Sequence, residues 1–256
     1  MSADFVHLHV HTDYSLLDGA CKIGDLADTA KEYNMTAVAC TDHGYMSGSI
    51  EFYQTMDSRG IKPIIGTEFY VADGDRRERN SQKPHVAGFH LVLLAEDFQG
   101  YQNLCKLNSA AWLEGHYYKP RIDKEILAEH NEGLIALSAC VGGEVSARML
   151  DGEDAKAVES FREYLDIFGR DRFCLELQDH GMKEEAQVNP RLIKLADEYG
   201  VPLVGTNDVH YLKKEHAKAH DVLLCIGTQS NLQDEDRLKF PSEEFYFKSA
   251  EEMKEL

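Results

Sequence analysis

The chain has 256 residues, 43% of them hydrophobic, and a formal net charge of -18 at pH 7. That is enough apolar material for one large domain, and the charge excludes a broad basic surface gripping a nucleic-acid backbone through Lys and Arg. Carboxylates gathered around bound cations would neutralise part of that charge locally, so phosphate remains an admissible ligand. No stretch approaches the ~18 apolar residues of a membrane span, and the opening MSADFVHLHV does not read as a leader, so a cytoplasmic protein is expected. Six scattered cysteines without a CxxC pair indicate reduced thiols.

Short apolar runs alternate with helical periodicity, the pattern of βα units around a parallel sheet. Strands are expected at 5–9, 37–41, 63–70, 90–95, 134–138, 173–177 and 202–206. The expected helices are 23–33, 49–58, 101–113, 155–168 and 185–199. Gly60, Gly133, Gly169 and Gly200 stand where left-handed helix caps belong. Residues 72–88 are polar and aperiodic, which predicts a long mobile loop. Its Arg76, Arg77 and Arg79 read as solvated charges or as contacts to a nucleic-acid backbone. From about residue 231 the sequence turns acidic and irregular, an exit segment to a single domain covering 1–256.

Metal-competent residues recur at the carboxyl ends of the expected strands, where barrel enzymes assemble their sites. His9, His11 and Asp18 follow the first strand, Asp42 and His43 the second, and Glu68 closes the third. Cys140 follows the fifth, and Asp208 and His210 the seventh; His90 stands apart, at the start of the fourth. The spacing in His9-Val-His11 puts both imidazoles on one face of an extended segment, and Asp208-Val-His210 repeats it. Imidazole, carboxylate and thiolate together suit zinc best, with manganese or iron at the harder positions, and more than four ligands implies more than one ion. Adjacent ions activate water and clamp phosphoryl oxygens, so hydrolysis of a phosphate ester is expected. A serine hydrolase is disfavoured, because no GxSxG elbow occurs.

Around these ligands, Lys119 and Arg121 in YYKPRID suit a substrate phosphate or, equally, a solvated loop or structural salt bridge. His180, after the sixth strand, can line the pocket. His7 reads as a packed histidine; His216 and His220, four apart but without the Glu of HExxH, read as surface residues.

The strings FVHLHVHTDYSLLDGACKI, TDHGYMSGSIEFY, GIKPIIGTEFYV, YQNLCKLNSAAW, NEGLIALSACVGGEV and TNDVHYL resemble polymerase and histidinol phosphatase (PHP) domains, most closely those at the amino terminus of bacterial polymerase III alpha subunits. The resemblance implies an α/β fold, a distorted seven-stranded β/α barrel with up to three metal ions at the carboxyl ends of its strands. It assigns His9, His11, Glu68 and Asp208 to one ion, and Glu68 as a bridge to a second held by His90 and Cys140. Asp18, His43 and His210 would hold the third. His9, His11, Glu68, Asp208 and His210 would then form the catalytic set. The implied activity is 3′-to-5′ exonuclease action on a DNA 3′ end, with the rest of a polymerase alpha subunit as partner. Alternatives are a small-molecule phosphomonoesterase, which the acidic charge suits better, and a non-catalytic domain stabilised by metal.

Overall fold

The computed structural model describes residues 5–16, 18–82 and 84–256; Met1–Asp4 of the leader reading, Leu17 of the first quoted string and Lys83 of the expected loop lie outside them. Two compact units divide the chain. The first is formed from 1–65, 179–182 and 206–256, the second from 66–178 and 183–205.

In the first unit, helix α1 (Ile23–Glu32) buries Ile23, Leu26, Ala27 and Ala30, the i, i+3, i+4, i+7 stripe of an amphipathic helix. That stripe packs into a core with Val10, Val38, Phe52, Met56, Val209 and Phe247. Truncating Leu26, fully buried, to alanine would cost about 2–5 kcal/mol. Strand β1 (Ala37–Cys40) pairs in parallel with the first residues of β2 (Lys62–Val71), across helix α2 (Ser49–Ser58). Gly60, left-handed at φ 74°, ends α2, and Gly133, Gly169 and Gly200 are left-handed as well.

The expected first strand is not a ladder strand. Its backbone is bonded on both sides instead: Ala39 N–H donates to His7 O and Thr41 N–H to Val10 O, while His11 N–H donates to Val209 O. A single parallel bridge, Val10 to Val209, marks the contact.

The second unit takes up the remainder of β2 and adds β3 (Phe89–Ala95), the short β4 (Arg121–Ile122), β5 (Leu134–Leu137), β6 (Phe173–Leu177) and β7 (Leu203–Gly205). β3 runs antiparallel to both β2 and β5, where a wholly parallel sheet was expected. The β5–β6 and β6–β7 pairs are parallel. Helices α3 (Phe98–Leu113), α4 (Lys124–Glu129), α5 (Glu144–Leu150), α6 (Asp154–Phe168) and α7 (Lys183–Tyr199) cover this sheet. Phe161 and Tyr164 of α6 pack their rings on Phe173. Among the described residues there are seven strands, the expected number, with β4 in place of the first segment.

Arg76, Glu78 and Val86 are pinned where a mobile loop was expected over 72–88. Arg121, buried, donates to the carbonyls of Gly115, Val86, Arg76 and Glu78, and Arg76 pairs with Asp123 and Glu114. The carboxyl-terminal stretch also does more than exit. After α8 (Ala217–Thr228), Phe245 and Phe247 are buried and Tyr246 bridges to Tyr211, before the capping box of Ser249 and Glu252 opens α9 (Ala250–Lys254). No helix among the described residues is long and apolar enough to cross a membrane.

Candidate metal centre

Six of the nine expected ligands belong to the first unit. Val10 turns into the core, so the alternation of extended backbone carries His9 and His11 to the other face, both fully buried. Asp208 meets them there. Its Oδ1 lies 3.2 Å from His9 Nε2 and 3.1 Å from His11 Nε2. Asp208 has φ 41°, a left-handed conformation that costs a non-glycine residue about 1–3 kcal/mol and is characteristic of functional positions.

The His210 ring stacks on His11 at 4.3 Å, and His43 stacks on His11 at 4.2 Å. Ring nitrogens of His11, His43 and His210 all lie within 4.8 Å of one another. His210 Nδ1 is 2.7 Å from the Asp208 carbonyl, which can only accept, so Nδ1 carries the proton and Nε2 keeps its lone pair. Ser15 Oγ stands 3.3 Å from His11 Nδ1 and accepts from His43 N–H. Asp18 Oδ2 lies 3.3 Å from His43 Nε2.

This donor set fits a cation. Burial, then the neighbouring His43 and His210, depresses His11 to about 3, and burial lowers His210. Both rings are therefore neutral near pH 7, the form that ligates. At Asp208 burial alone would raise the carboxyl, but its interactions with the neighbouring His9, His210 and His11 rings outweigh it and hold the group well below the usual carboxylate range. Asp18 behaves likewise, burial being outweighed by His43. Its Oδ1 is buried with no hydrogen-bond partner among the described residues, an acceptor that a metal ion would satisfy.

The second unit holds the other three. Glu68 lies on β2, buried, and His90 is the second residue of β3, two places along the register, opposite Tyr70. His90 Nδ1 lies 2.8 Å from Glu68 Oε1 and 3.7 Å from Cys140 Sγ. Antiparallel β3 explains the odd position of His90: the start of this strand meets the carboxyl ends of β2 and β5. Cys140 leaves β5 through Ala139, at φ 62°. Gly143 is required in the following turn, since a Cβ there would stand 1.9 Å from Ser138 O. The turn returns its Gly142 carbonyl to His90 N–H.

The other expected residues sit differently. Lys119 is half-buried, its Nζ 5.2 Å from the Tyr70 ring centroid, and Tyr70 meets His90 edge-on. Arg121 has a structural task, its guanidinium taken up by four loop carbonyls, which leaves no exposed fork for a phosphate. His180 is buried, stacks on Phe245 at 3.8 Å, and donates from Nε2 to Asn207 O. Arg76 is equally engaged with carboxylates, while Arg77 is exposed.

Four residues support the site, of which the sequence marked Asp42 as a metal-competent side chain at a strand end. Asp42 accepts from Thr12 N–H at 2.6 Å and Thr12 Oγ1 at 2.9 Å, fixing the chain just after His11; burial raises it to about 6. His220, read as a surface residue, is buried and donates from Nε2 to Asp18 O at 2.7 Å. Asn207 Nδ2 donates to Glu244 O and Tyr246 O, and its Oδ1 accepts from Lys248 Nζ. These contacts brace the backbone beside Asp208. Only His220, four from His216, offered a spacing to notice; Asn207 and Lys248 offered none.

A PHP domain model matches residues 7–180. DNA polymerase III subunit alpha of Treponema pallidum is 50% identical over 98% of this chain, and that of Thermus aquaticus 50% identical over 98%. The chain spans 22% and 21% of the length of these relatives. Among solved structures, a protein of Bifidobacterium adolescentis assigned as a metal-dependent phosphoesterase superposes with TM-score 0.53 at 14% identity, over 80% of this chain and 87% of that one. A two-domain protein of Bacteroides vulgatus with a predicted PHP-like metal-dependent phosphoesterase gives TM-score 0.50 at 15% identity, over 80% of this chain and 51% of its own. These two likenesses bear on the fold, an α/β fold of the PHP type.

Proposed function

Because the chain belongs to the PHP domain family, we propose that it is a metal-dependent phosphoesterase that trims single-stranded DNA from its 3′ end as part of a polymerase III-type alpha subunit in the cytoplasm. One observation carries the reading: a single carboxylate oxygen of Asp208 within 3.2 Å of the buried His9 and His11 imidazoles, with His43 and His210 converging on the same His11 ring. Scaffolds kept only for shape have no need to bury that many basic nitrogens against acids.

His9, His11, Asp18, His43, Asp208 and His210 in one unit and Glu68, His90 and Cys140 in the other would hold up to three divalent ions. Zinc suits this mixed set, with manganese or iron at the carboxylate-rich positions. Bound there, the ions supply positive charge to phosphoryl oxygens and acidify water. The protein's own part is to keep His11 and His210 neutral, to fix the His210 tautomer through the Asp208 carbonyl, and to orient His9, His11 and Asp208. Lys119 is the cation placed to meet a substrate phosphate.

The test is hydrolysis by the metal-loaded chain of a 5′-labelled single-stranded oligonucleotide beside a simple phosphomonoester. Stepwise 3′ shortening that disappears in Asp208→Asn supports the proposal. Turnover of the monoester alone assigns a small-molecule phosphatase, and metal binding with no hydrolysis of either leaves a structural domain.

A further inference from the structure

Tyr118, in the second unit, combines exposure with a left-handed backbone. It is 63% exposed and has φ 62°, a conformation rarely kept by an aromatic residue without a reason. The strain sits at the tip of a tight turn, closed by Tyr117 N–H donating to Lys119 O at 3.0 Å. That turn is anchored. The Arg121 guanidinium lies 5.3 Å from the Tyr117 ring centroid and donates to Gly115 O, so the chain on either side of Tyr118 is fastened to β4 and the end of α3. An aromatic ring is thus held out in solvent by a rigid base.

Its neighbours suit one class of ligand. Tyr117 meets Tyr118 edge-to-face at 4.7 Å. Lys119, next in sequence, reaches over Tyr70, whose ring contacts His90 of the Glu68–His90–Cys140 cluster. A flat ring adjoining in sequence a cation, which itself reaches a candidate metal ligand through Tyr70, is an arrangement that suits an unpaired base and its phosphate.

We propose that Tyr118 is a stacking platform for an unpaired base of single-stranded nucleic acid, with Lys119 at the adjoining phosphate, next to the Glu68–His90–Cys140 cluster. The proposal deepens the phosphoesterase reading by naming a residue that holds its single-stranded substrate, and it rests on that reading. Stacking is indifferent to base identity, so the platform selects strandedness and not sequence. It also answers the charge of -18: affinity drawn from a π face and one cation needs no basic surface.

Binding to metal-free protein, where no hydrolysis intervenes, separates this proposal from the activity. Anisotropy of a fluorescein-labelled oligothymidine at low salt is the readout, with emission of Trp112, the chain's one tryptophan, as a second signal. Tyr118→Ala should weaken binding about tenfold and Tyr118→Phe should hold within about twofold. Tyr118→Gly removes both ring and strain, so it should bind as weakly as Tyr118→Ala while melting higher. Parental affinity in the Ala and Gly variants overturns the platform. So does a parent that hydrolyses phosphomonoesters yet binds no oligothymidine, an outcome that leaves the phosphoesterase reading standing.

Discussion

Lys248 places its Nζ 3.3 Å from the Oδ1 of Asn207, the residue immediately before Asp208. The lysine is 3% exposed, pairs with Glu244, and is depressed by burial. A buried ammonium is costly unless its partners repay the lost hydration, and here the partners are the supports of the left-handed Asp208 backbone. Lys248→Met should lower metal affinity by about 10–100-fold, the usual effect of disturbing a group that orients a ligand. Titration against a chromophoric chelator reads this out; an unchanged affinity with a lower Tm would confine Lys248 to holding the tail.

Asp208→Asn keeps the shape of the side chain and removes its charge. Metal content of the purified variant, measured by plasma mass spectrometry, should fall by at least one ion per chain, and phosphoester hydrolysis by at least ~100-fold. Retention of full metal content would remove Asp208 from the ligand set.

Acid stability should depend on Glu144. This buried carboxylate accepts from Ser160, Tyr164 and Arg148 and pairs with Lys124 at 2.8 Å. Burial works to raise it, but Lys124 and the hydroxyl donors prevail and its titration lies below the ordinary glutamate value of 4.5. Unfolded chains then bind the proton first, so the contribution is complete above about pH 4.5 and disappears as pH falls through the lower folded value. Glu144→Gln should cost about 3 kcal/mol at neutral pH and flatten the acid limb of a Tm-against-pH curve. A parallel downward shift at every pH would mean that the carboxylate's charge contributes nothing.

Arg121→Ala should release residues 76–88. Four backbone carbonyls lose their donor, and limited trypsin treatment should nick the loop within minutes while the parent resists. Metal content should stay at the parental level, because the guanidinium contacts none of the expected ligands. A drop in bound metal would tie the loop to the metal centre.

The candidate ligands stood out in the sequence because metal-competent residue types recur at strand ends, and a strand end is recognisable from the apolar run before it. His90 at a strand start looked like an exception only while the sheet was taken as parallel. Nothing local in FHLVLLA announces strand direction; it is set by pairing with β2 and β5. Arg121 illustrates the opposite limit. An exposed arginine that meets phosphate and a buried one that gathers carbonyls are the same letter, and the difference lies in where residues 76–88 travel. Lys248 and Asn207 were illegible for a similar reason, since 41 positions separate two groups that matter only in contact.

Antiparallel β3 finally bears on the order in which the protein assembles. Glu68 and His90 sit on neighbouring antiparallel strands consecutive in sequence, so this part of the candidate metal site is brought together by a local stretch of chain. His11 and Asp208 are 197 positions apart and cannot meet until most of the polypeptide is in place. Closing the short loop costs less entropy and happens sooner. During synthesis, the Glu68–His90 pair can thus form while Asp208, which meets His9 and His11, has still to leave the ribosome.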